Sequence, residues 1–262
     1  YKQNKNIKKF KFLKLDLNKD FNKICSLINS KKPEYIINFA AQGMVNESWN
    51  NPLDWYQTNF ISQTRLIEFL KNKNFLKKYI HFTTPEVYGN LNNWKKESFD
   101  FYPSTPYALS RAASDTHLKN LFDLIKFPVI FTRAANVYGE GQQLYRIITK
   151  SMLSFRSRTK IQLHGGGTSI RSFIHIDDVS SALFKIIKQG KIGETYHISS
   201  KNMISIKNLV TKISKIMEVD SKNLVESSGE RRGKDHSYKL DSTKIRAKLK
   251  WRDEISLENG LK

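Results

Sequence analysis

The sequence reads YIHFTTPEVYG over residues 79–89 and STPYALSR over residues 104–111. The first stretch opens with aromatic and β-branched residues, 79–82, which predict a buried strand. Three polar side chains follow that strand: Thr83, Thr84 and Glu86. In open parallel sheets, ligands bind in the crevice outside the carboxyl ends of the strands. We therefore expect these side chains to lie in a ligand site.

The second stretch places Tyr107 and Arg111 four residues apart, after a Ser-Thr-Pro sequence that is typical of a helix start. Residues at this spacing share one face of a helix. A fixed cation beside a phenol lowers the phenol pKa, which would make Tyr107 a candidate acid or base near neutral pH.

Together these stretches resemble the extended short-chain dehydrogenase/reductases, and within them the dTDP-glucose and GDP-mannose 4,6-dehydratases. The family motif Ser-Thr-Asp-Glu-Val-Tyr-Gly corresponds to Thr-Thr-Pro-Glu-Val-Tyr-Gly at residues 83–89. The family motif Tyr-x-x-x-Lys corresponds to Tyr107 and Arg111. Two positions depart from the family, since Pro85 replaces an Asp and Arg111 replaces the Lys.

Three later motifs match the same family in order, at residues 133–139, 163–178 and 230–241. They carry polar side chains that the resemblance assigns to the diphosphate of a nucleotide-diphosphate sugar. Guanidinium groups suit such bidentate phosphate contacts. With the strand-end residues, the implied substrate-binding set is Thr84, Glu86, Asn136, Arg146, Arg171, Arg231 and Lys234.

The resemblance also implies NAD as a tightly held cofactor, and no metal. The implied cofactor-binding residues are Asp16, Leu17, Ala40, Ala41, Gln42, Asn59, Thr83, Tyr107 and Arg111. Four of these have simpler explanations. Asp16 could merely cap a helix, the Ala40–Ala41 pair could serve tight strand–helix packing, and Asn59 could brace the central strands.

The implied reaction converts an NDP-hexose to an NDP-4-keto-6-deoxyhexose, which makes the protein an NAD-dependent lyase. The implied catalytic residues are Thr84, Glu86, Tyr107 and Arg111. Epimerisation or decarboxylation on the same fold remains an alternative. A non-catalytic NAD-binding protein is a further alternative, suggested by Pro85 and Arg111.

The predicted fold is an α/β, Rossmann-like doubly wound parallel sheet over residues 1–144. A smaller α/β substrate domain follows over residues 145–262, interwoven with the sheet. Because no Gly-x-x-Gly-x-x-Gly loop is present, we expect the sequence to lack the first β-α-β unit; a natural protein without that unit is the alternative. The predicted elements are strands at 11–15, 35–42, 79–82 and 129–133, helices at 21–29 and 52–70, a hairpin turn at 165–167, and a helix capped by Asp177.

Composition adds weaker constraints. The net charge of +21 could indicate nucleic-acid binding, but the lysines are dispersed and no nucleic-acid motif accompanies them. A general attraction for anionic substrates is the better interpretation. The single Cys25 favours a reducing cytoplasm. We expect no membrane association, and the resemblance implies a homodimer.

Overall fold

The computed structural model describes residues 7–230, 233 and 235–262. Its centre is a four-stranded, wholly parallel sheet in the order β1-β2-β3-β7. The strands are β1 (Tyr35–Asn38), β2 (Lys78–Thr83), β3 (Val129–Ala134) and β7 (Thr195–Ile198). β2 and β3 lie in the middle of the sheet, and every residue of β3 is buried.

Helices cover both faces of this sheet. The helices involved are α1 (Phe21–Lys31), α2 (Pro52–Tyr56), α3 (Ser62–Leu70), α4 (Pro106–Ile125), α6 (Ile176–Gln189) and α8 (Thr243–Leu249). Side chains alternate between the faces of a strand. Tyr79, Val129 and Phe131 accordingly pack with α1, α3 and α4, whereas Ile80 and Ile130 pack with α6 and α8. The predicted doubly wound α/β fold is confirmed.

The remaining elements build a third hydrophobic core. They are β4 (Asn136–Tyr138), α5 (Ile147–Arg156), β5 (Ile161–His164), β6 (Ile170–His175), β8 (Met203–Ser205), α7 (Ile206–Ile216), β9 (Val225–Ser228) and α9 (Leu257–Leu261). β6 lies between β4 and β8, and β5 pairs with β9. Phe155, Phe173 and Leu209 are central to this core. β7 follows β6 and α6 in the chain but returns to the large sheet.

Two predicted strands are wrong in part. Residues 11–15 form no strand in the described part of the chain. A strand needs a neighbouring strand to bond with, and β2 is the only strand of the described residues that pairs with β1. The predicted strand 35–42 ends at Asn38, and it lies at an exposed edge, with Tyr35 45% and Phe39 55% exposed.

Helix predictions were closer, with local corrections. The predicted helix 52–70 is continuous, but its middle, Gln57–Ile61, is a π-helical turn between α2 and α3. His175 and not Asp177 caps α6, because the His175 side chain accepts the hydrogen bond from the Asp177 amide. Residues 165–167 are no hairpin turn, because β5 and β6 pair with other strands.

A buried polar network lies behind the carboxyl end of the sheet. Asp115 on α4 has one carboxylate oxygen 3.1 Å from His81 Nε2, and its other oxygen accepts a hydrogen bond from Arg133 at 2.8 Å. Arg133 also donates to the Tyr88 hydroxyl, which bonds His197 Nε2 at 2.8 Å. Burial lowers the pKa of both histidines, and the Arg133 charge lowers that of His197 further. Both imidazoles are therefore neutral in the folded protein.

From this network we predict that the free energy of unfolding decreases as the pH falls below about 6.5. The folded protein binds protons at His81 and His197 more weakly than the unfolded chain does. The free energy of unfolding therefore has its full value above the histidine pKa of the unfolded chain and falls as the pH decreases through that pKa. Each histidine contributes a slope of up to ~1.4 kcal/mol per pH unit. Urea unfolding between about pH 7 and 5.5 would measure it.

The matched variants are His197→Gln and, as a control, His236→Gln, since His236 is exposed. We expect a shallower slope for the first and the parental slope for the second. An unchanged slope in His197→Gln would show that His197 does not contribute to the acid sensitivity.

Candidate active site

The end of β2 is shaped by a short 3₁₀ turn, Pro85–Tyr88. Thr84 caps this turn, its hydroxyl oxygen accepting the Glu86 amide hydrogen bond at 3.3 Å. The chain leaves through Gly89, which has φ of +69°. A Cβ at this glycine would lie 2.3 Å from the Tyr102 carbonyl oxygen, so only glycine fits. The turn holds Thr84 buried and Glu86 half-buried.

The start of α4 brings Tyr107 to the same place. Thr105 caps the helix by accepting the Ala108 amide hydrogen bond, and Pro106 occupies its first turn, as predicted. The Tyr107 amide donates to the Ser48 hydroxyl at 3.2 Å. The Thr84 hydroxyl lies near enough to the Tyr107 phenol to lower its pKa. Thr84, Glu86 and Tyr107 thus form one group, two from the strand end and one from the helix.

The net electrostatics of Tyr107 differ from the sequence expectation. Arg111 does lower the pKa of Tyr107, together with Thr84 and Arg146. Burial and the Glu86 carboxylate act in the opposite direction and outweigh them, so the pKa is raised. The sequence spacing showed the Arg111 cation one helical turn from Tyr107. It did not show that the Glu86 carboxylate, which follows β2, also acts on this phenol.

Arg111 is almost fully buried, with 2% exposure. Its Nη2 donates to the Phe82 carbonyl oxygen at the end of β2. Its Nε and Nη1, and the nearby strand-end Thr83 Oγ1, have no hydrogen-bond partner among the described residues. Buried polar groups in folded proteins are normally hydrogen-bonded. These three atoms therefore fit a polar group such as the vicinal hydroxyls of a ribose.

Asn59, placed by the π-helical turn, joins two parts of the site. It is fully buried, and its side chain bonds both the amide and the carbonyl of Gln42, at 2.7 and 3.0 Å. Its Nδ2 also donates to the Ser110 hydroxyl, next to Arg111. Asn59 thereby braces the segment that contains Ala40 and Ala41, both of which are exposed.

Asp16 and Leu17 lie in the turn that directly precedes α1. The Asp16 carboxylate accepts amide hydrogen bonds from Asn18 and Lys19, which closes a turn. Asn18 Nδ2 in turn donates to Thr58 at 3.0 Å, and Leu17 packs against the core beneath α1. Asp16 therefore caps a turn and not a helix, and it remains exposed.

The expected substrate residues lie on several elements. Asn136 is half-buried on β4, and Arg146 is exposed at the start of α5, near enough to affect Tyr107. Arg171 on β6 donates to the backbone carbonyls of Ile170, Asp235 and His236 at 2.7–2.8 Å. Arg231 and Lys234 lie outside the described residues.

Sequence reasoning missed four residues of this region: Ser48, Ser104, Asp235 and Tyr238. Ser48 positions the Tyr107 amide. The other three form a cluster in which Ser104 and Tyr238 both donate to Asp235. Asp235 and Tyr238 both lie within the last family motif, residues 230–241, but the sequence alone does not show their contact with Ser104.

Comparison with known proteins agrees with this geometry. The family model described as GDP-mannose 4,6 dehydratase matches residues 1–262. The human dTDP-D-glucose 4,6-dehydratase is 30% identical over 263 residues, which cover 98% of this chain and 74% of the human protein. A trifunctional UDP-glucose 4,6-dehydratase of Arabidopsis thaliana is 29% identical, over 97% of this chain and 38% of the plant protein.

Solved structures give the same result. DesIV of Streptomyces venezuelae, a dTDP-glucose 4,6-dehydratase with NAD and TYD bound, has a TM-score of 0.90 and 26% identity, covering 96% of this chain and 77% of its own. The UDP-glucose 4-epimerase of Thermotoga maritima, at 24% identity over 95% of this chain and 81% of its own, has a TM-score of 0.88 and shows the fold alone. The family expected from the strand-end and helix motifs is thus confirmed, and the chain belongs to the GDP-mannose 4,6-dehydratase family of sugar-nucleotide dehydratases.

Proposed function

We propose that this protein is an NAD-dependent lyase that converts an NDP-hexose to an NDP-4-keto-6-deoxyhexose. The observation that supports this most is the grouping of Thr84, Glu86 and Tyr107 at the end of β2, where the Glu86 charge acts directly on the Tyr107 phenol. An epimerase needs the phenol but no second base. A carboxylate held beside the phenol favours a reaction that also removes a proton from C5.

The cofactor is NAD, which when bound accepts a hydride from C4 of the sugar and returns one to C6. Arg111 and Thr83 are the residues that would hold its ribose, because their three side-chain nitrogen and oxygen atoms without described partners are buried at the strand end. Ala40, Ala41 and Gln42, braced by Asn59, would line its path. Asp16 and Leu17 would lie at its adenine end.

The chain's own groups divide the proton transfers between them. Tyr107 removes the proton of the C4 hydroxyl, and the Thr84 hydroxyl beside that phenol donates its single hydrogen bond to O4 when substrate is bound. Glu86 removes the C5 proton, which the neighbouring ketone makes acidic. The proton then goes to the departing C6 oxygen, and water leaves. Asn136, Arg146, Arg171, Arg231 and Lys234 are proposed to contact the diphosphate or the nucleotide.

Mass spectrometry of the product separates the candidate reactions. Dehydration yields a product lighter by one water, decarboxylation a product lighter by carbon dioxide, and epimerisation a product of unchanged mass. We expect the loss of water from an NDP-hexose. Nucleotide released by denaturing the purified protein should be NAD; release of NADP would contradict the assignment of the cofactor.

Arg111 provides the next prediction. Arg111→Lys should retain measurable turnover, since either cation lowers the pKa of Tyr107, although the two differ in geometry. Arg111→Met should lose most turnover and shift the pH dependence of C4 oxidation upward, because the cation that lowers the phenol pKa is gone. The rate of cofactor reduction against pH measures both effects. Equal activity of the Met variant and the parent would contradict the role of Arg111.

We also propose a homodimer formed through the α2–α3 and α4 helices, and a cytoplasmic location. Leu53, Ile61 and Leu109 are 75%, 45% and 48% exposed on these packed helices, which supports an apolar contact with a second copy. Sedimentation of the double variant Leu53→Lys and Leu109→Lys should show a monomer. The single Cys25 supports the location. No helix of the described part of the chain is long and apolar enough to cross a membrane.

A further inference from the structure

The turn that carries Glu86, Pro85–Tyr88, is held at both of its ends. At the front, the Thr84 hydroxyl accepts the Glu86 amide hydrogen bond, and Pro85 is buried in the first position, where its ring fixes φ. At the back, the Gly89 amide donates to the Glu86 carbonyl oxygen at 3.1 Å, and Tyr88 is 2% exposed. Glu86 therefore lies between two fixed points, and Tyr88 is the second of them.

Arg133 on β3 ties the Tyr88 hydroxyl to the helix that carries Tyr107. Its Nη1 donates to that hydroxyl at 2.9 Å, and its Nη2 donates to Asp115 Oδ2 at 2.8 Å. Asp115 lies about two turns after Tyr107 on α4, and both Asp115 and Arg133 are fully buried. One guanidinium thus bridges the turn of Glu86 and the helix of Tyr107. Its forked geometry permits such a bridge, which the single nitrogen of a lysine does not offer.

The hydrogen bonds of the Tyr88 hydroxyl have a fixed direction. Its oxygen accepts from Arg133, since a guanidinium can only donate. His197 Nδ1 lies 3.2 Å from the Asp241 carbonyl oxygen, which can only accept, so the proton of this neutral imidazole is on Nδ1. The Tyr88 hydroxyl therefore donates to His197 Nε2 at 2.8 Å, with the Ser98 carbonyl oxygen at 3.3 Å as the more distant acceptor. Partners on both sides of this hydroxyl fix its position.

Aromatic rings enclose the same guanidinium. Arg133 Cζ lies 5.0–5.3 Å from the ring centroids of Tyr88, Phe99 and Phe101, within the range of cation–π attraction. A phenylalanine in place of Tyr88 would keep this ring contact and lose only the hydroxyl. The contribution of the hydrogen bond can therefore be measured apart from that of the packing.

We propose that Arg133 and Tyr88 are positioning residues that hold Glu86 in place for the elimination, by fastening its turn to the helix of Tyr107. This inference rests on the proposed dehydratase function and extends it. Glu86 takes the C5 proton, the C6–O bond breaks with its electron pair on the oxygen, and the same proton passes to that oxygen to give water. Arg133 and Tyr88 exchange no proton with the substrate. Because Pro85 has no titratable group, both proton movements depend on the placement of one carboxylate.

Tyr88→Phe in the full-length protein tests this role, because the replacement changes no charge. Rapid mixing with the NDP-hexose follows C4 oxidation as absorbance of the reduced cofactor, and quenched samples give the 4-keto-6-deoxy product. The variant should reach the parental maximal rate of oxidation. It should form product roughly tenfold more slowly, because even a small displacement of a positioned reacting group lowers a rate steeply. Reduced cofactor should therefore accumulate.

A second readout shows whether the effect acts through Glu86. The Glu86 charge raises the pKa of Tyr107, and a less tightly held turn lets this carboxylate move away from the phenol. The rising limb of oxidation against pH should therefore shift to lower pH in Tyr88→Phe, by less than in Glu86→Gln, which removes the charge altogether. In the Glu86→Gln background, Tyr88→Phe should cause neither a further shift nor a further loss of product formation.

Two other variants complete the test. Tyr196→Phe is the matched control, since Tyr196 is 1% exposed and its hydroxyl accepts the Lys191 amide hydrogen bond at 3.1 Å, away from the Glu86 turn. It should behave as the parent in both half-reactions. Arg133→Lys keeps a cation beside Asp115 but replaces the fork by one nitrogen. It should slow elimination selectively, as Tyr88→Phe does, and it answers the same question where Tyr88→Phe does not fold.

Elimination at the parental rate in either variant would overturn the proposal, and so would an equal loss of both half-reactions. An undiminished effect of Tyr88→Phe in the Glu86→Gln background would also overturn it, because the hydroxyl would then act by a route that does not involve Glu86. A parent protein that forms no dehydrated product would instead overturn the dehydratase function itself. The parent and variant measurements thus keep the two failures apart.

Discussion

Replacement of Tyr107 by Phe is expected to abolish the first half of the reaction. Tyr107 is the phenol beside Thr84, and it is flanked by Glu86 and Arg111. Loss of a positioned proton acceptor lowers the rate about 10²- to 10⁴-fold. Neither reduced cofactor nor dehydrated product should form at an appreciable rate in Tyr107→Phe.

The control is Tyr102→Phe, because Tyr102 is 74% exposed and its removal tests only the loss of a surface hydroxyl. It should reduce the cofactor as the parent does. Parental reduction in Tyr107→Phe would exclude Tyr107 as the base for the C4 hydroxyl and would leave the site without an assigned first step.

Replacement of Glu86 by Gln is expected to stop the reaction halfway. Pro85 occupies the place where the family has an Asp, and it offers no titratable group. Under the proposed function, Glu86 would therefore move the C5 proton to the C6 oxygen alone, directly or through a water. Glu86→Gln should still oxidise C4, seen as a stable absorbance of the reduced cofactor, but its product formation should fall about 10²- to 10⁴-fold. Product release at the parental rate would contradict both the role of Glu86 and the dehydratase assignment.

The same variant has a second expected effect, on pH dependence. The Glu86 charge raises the pKa of Tyr107, so its removal should lower that pKa. Since Tyr107 acts as a base, C4 oxidation increases as pH rises through its pKa. The rising limb of oxidation against pH should therefore move to lower pH in Glu86→Gln, opposite to its shift in Arg111→Met. The opposite directions of the two pH shifts would distinguish the effect of the Glu86 charge on Tyr107 from that of the Arg111 charge.

The central strands and the helix of Tyr107 were predictable because local signals agreed with the tertiary structure. Residues 79–82 and 129–133 are rich in aromatic and β-branched side chains and become fully or largely buried, and Ser-Thr-Pro does cap and start α4. The segment 11–15 failed because β-structure depends on a neighbouring strand, which its own sequence does not reveal. The π-helical turn that places Asn59 likewise has no sequence signal that we recognised.

Within the candidate site, the sequence placed Tyr107 and Arg111 one helical turn apart but did not show the balance of charge and burial that sets the phenol pKa. The spacing of Tyr107 and Arg111 showed one lowering influence on the phenol pKa. The larger raising influences, burial and Glu86, arise only when β2 and α4 meet. Asp235 and Tyr238 were missed for the same reason, since their hydrogen bonds with each other and with Ser104 form only when distant segments of the chain meet.

The return of β7 to the large sheet has a consequence for synthesis on the ribosome. One edge of β3 pairs with β2, and its other edge pairs with Thr195–Ile198. The second pairing cannot form until residues 135–194 have been synthesised. During that time β3 has one unpaired edge, which is the kind of surface that pairs with other nascent chains. Residues 1–144 produced alone would keep that edge permanently bare. The half of the chain that is expected to bind the cofactor therefore needs the later half to complete its central sheet.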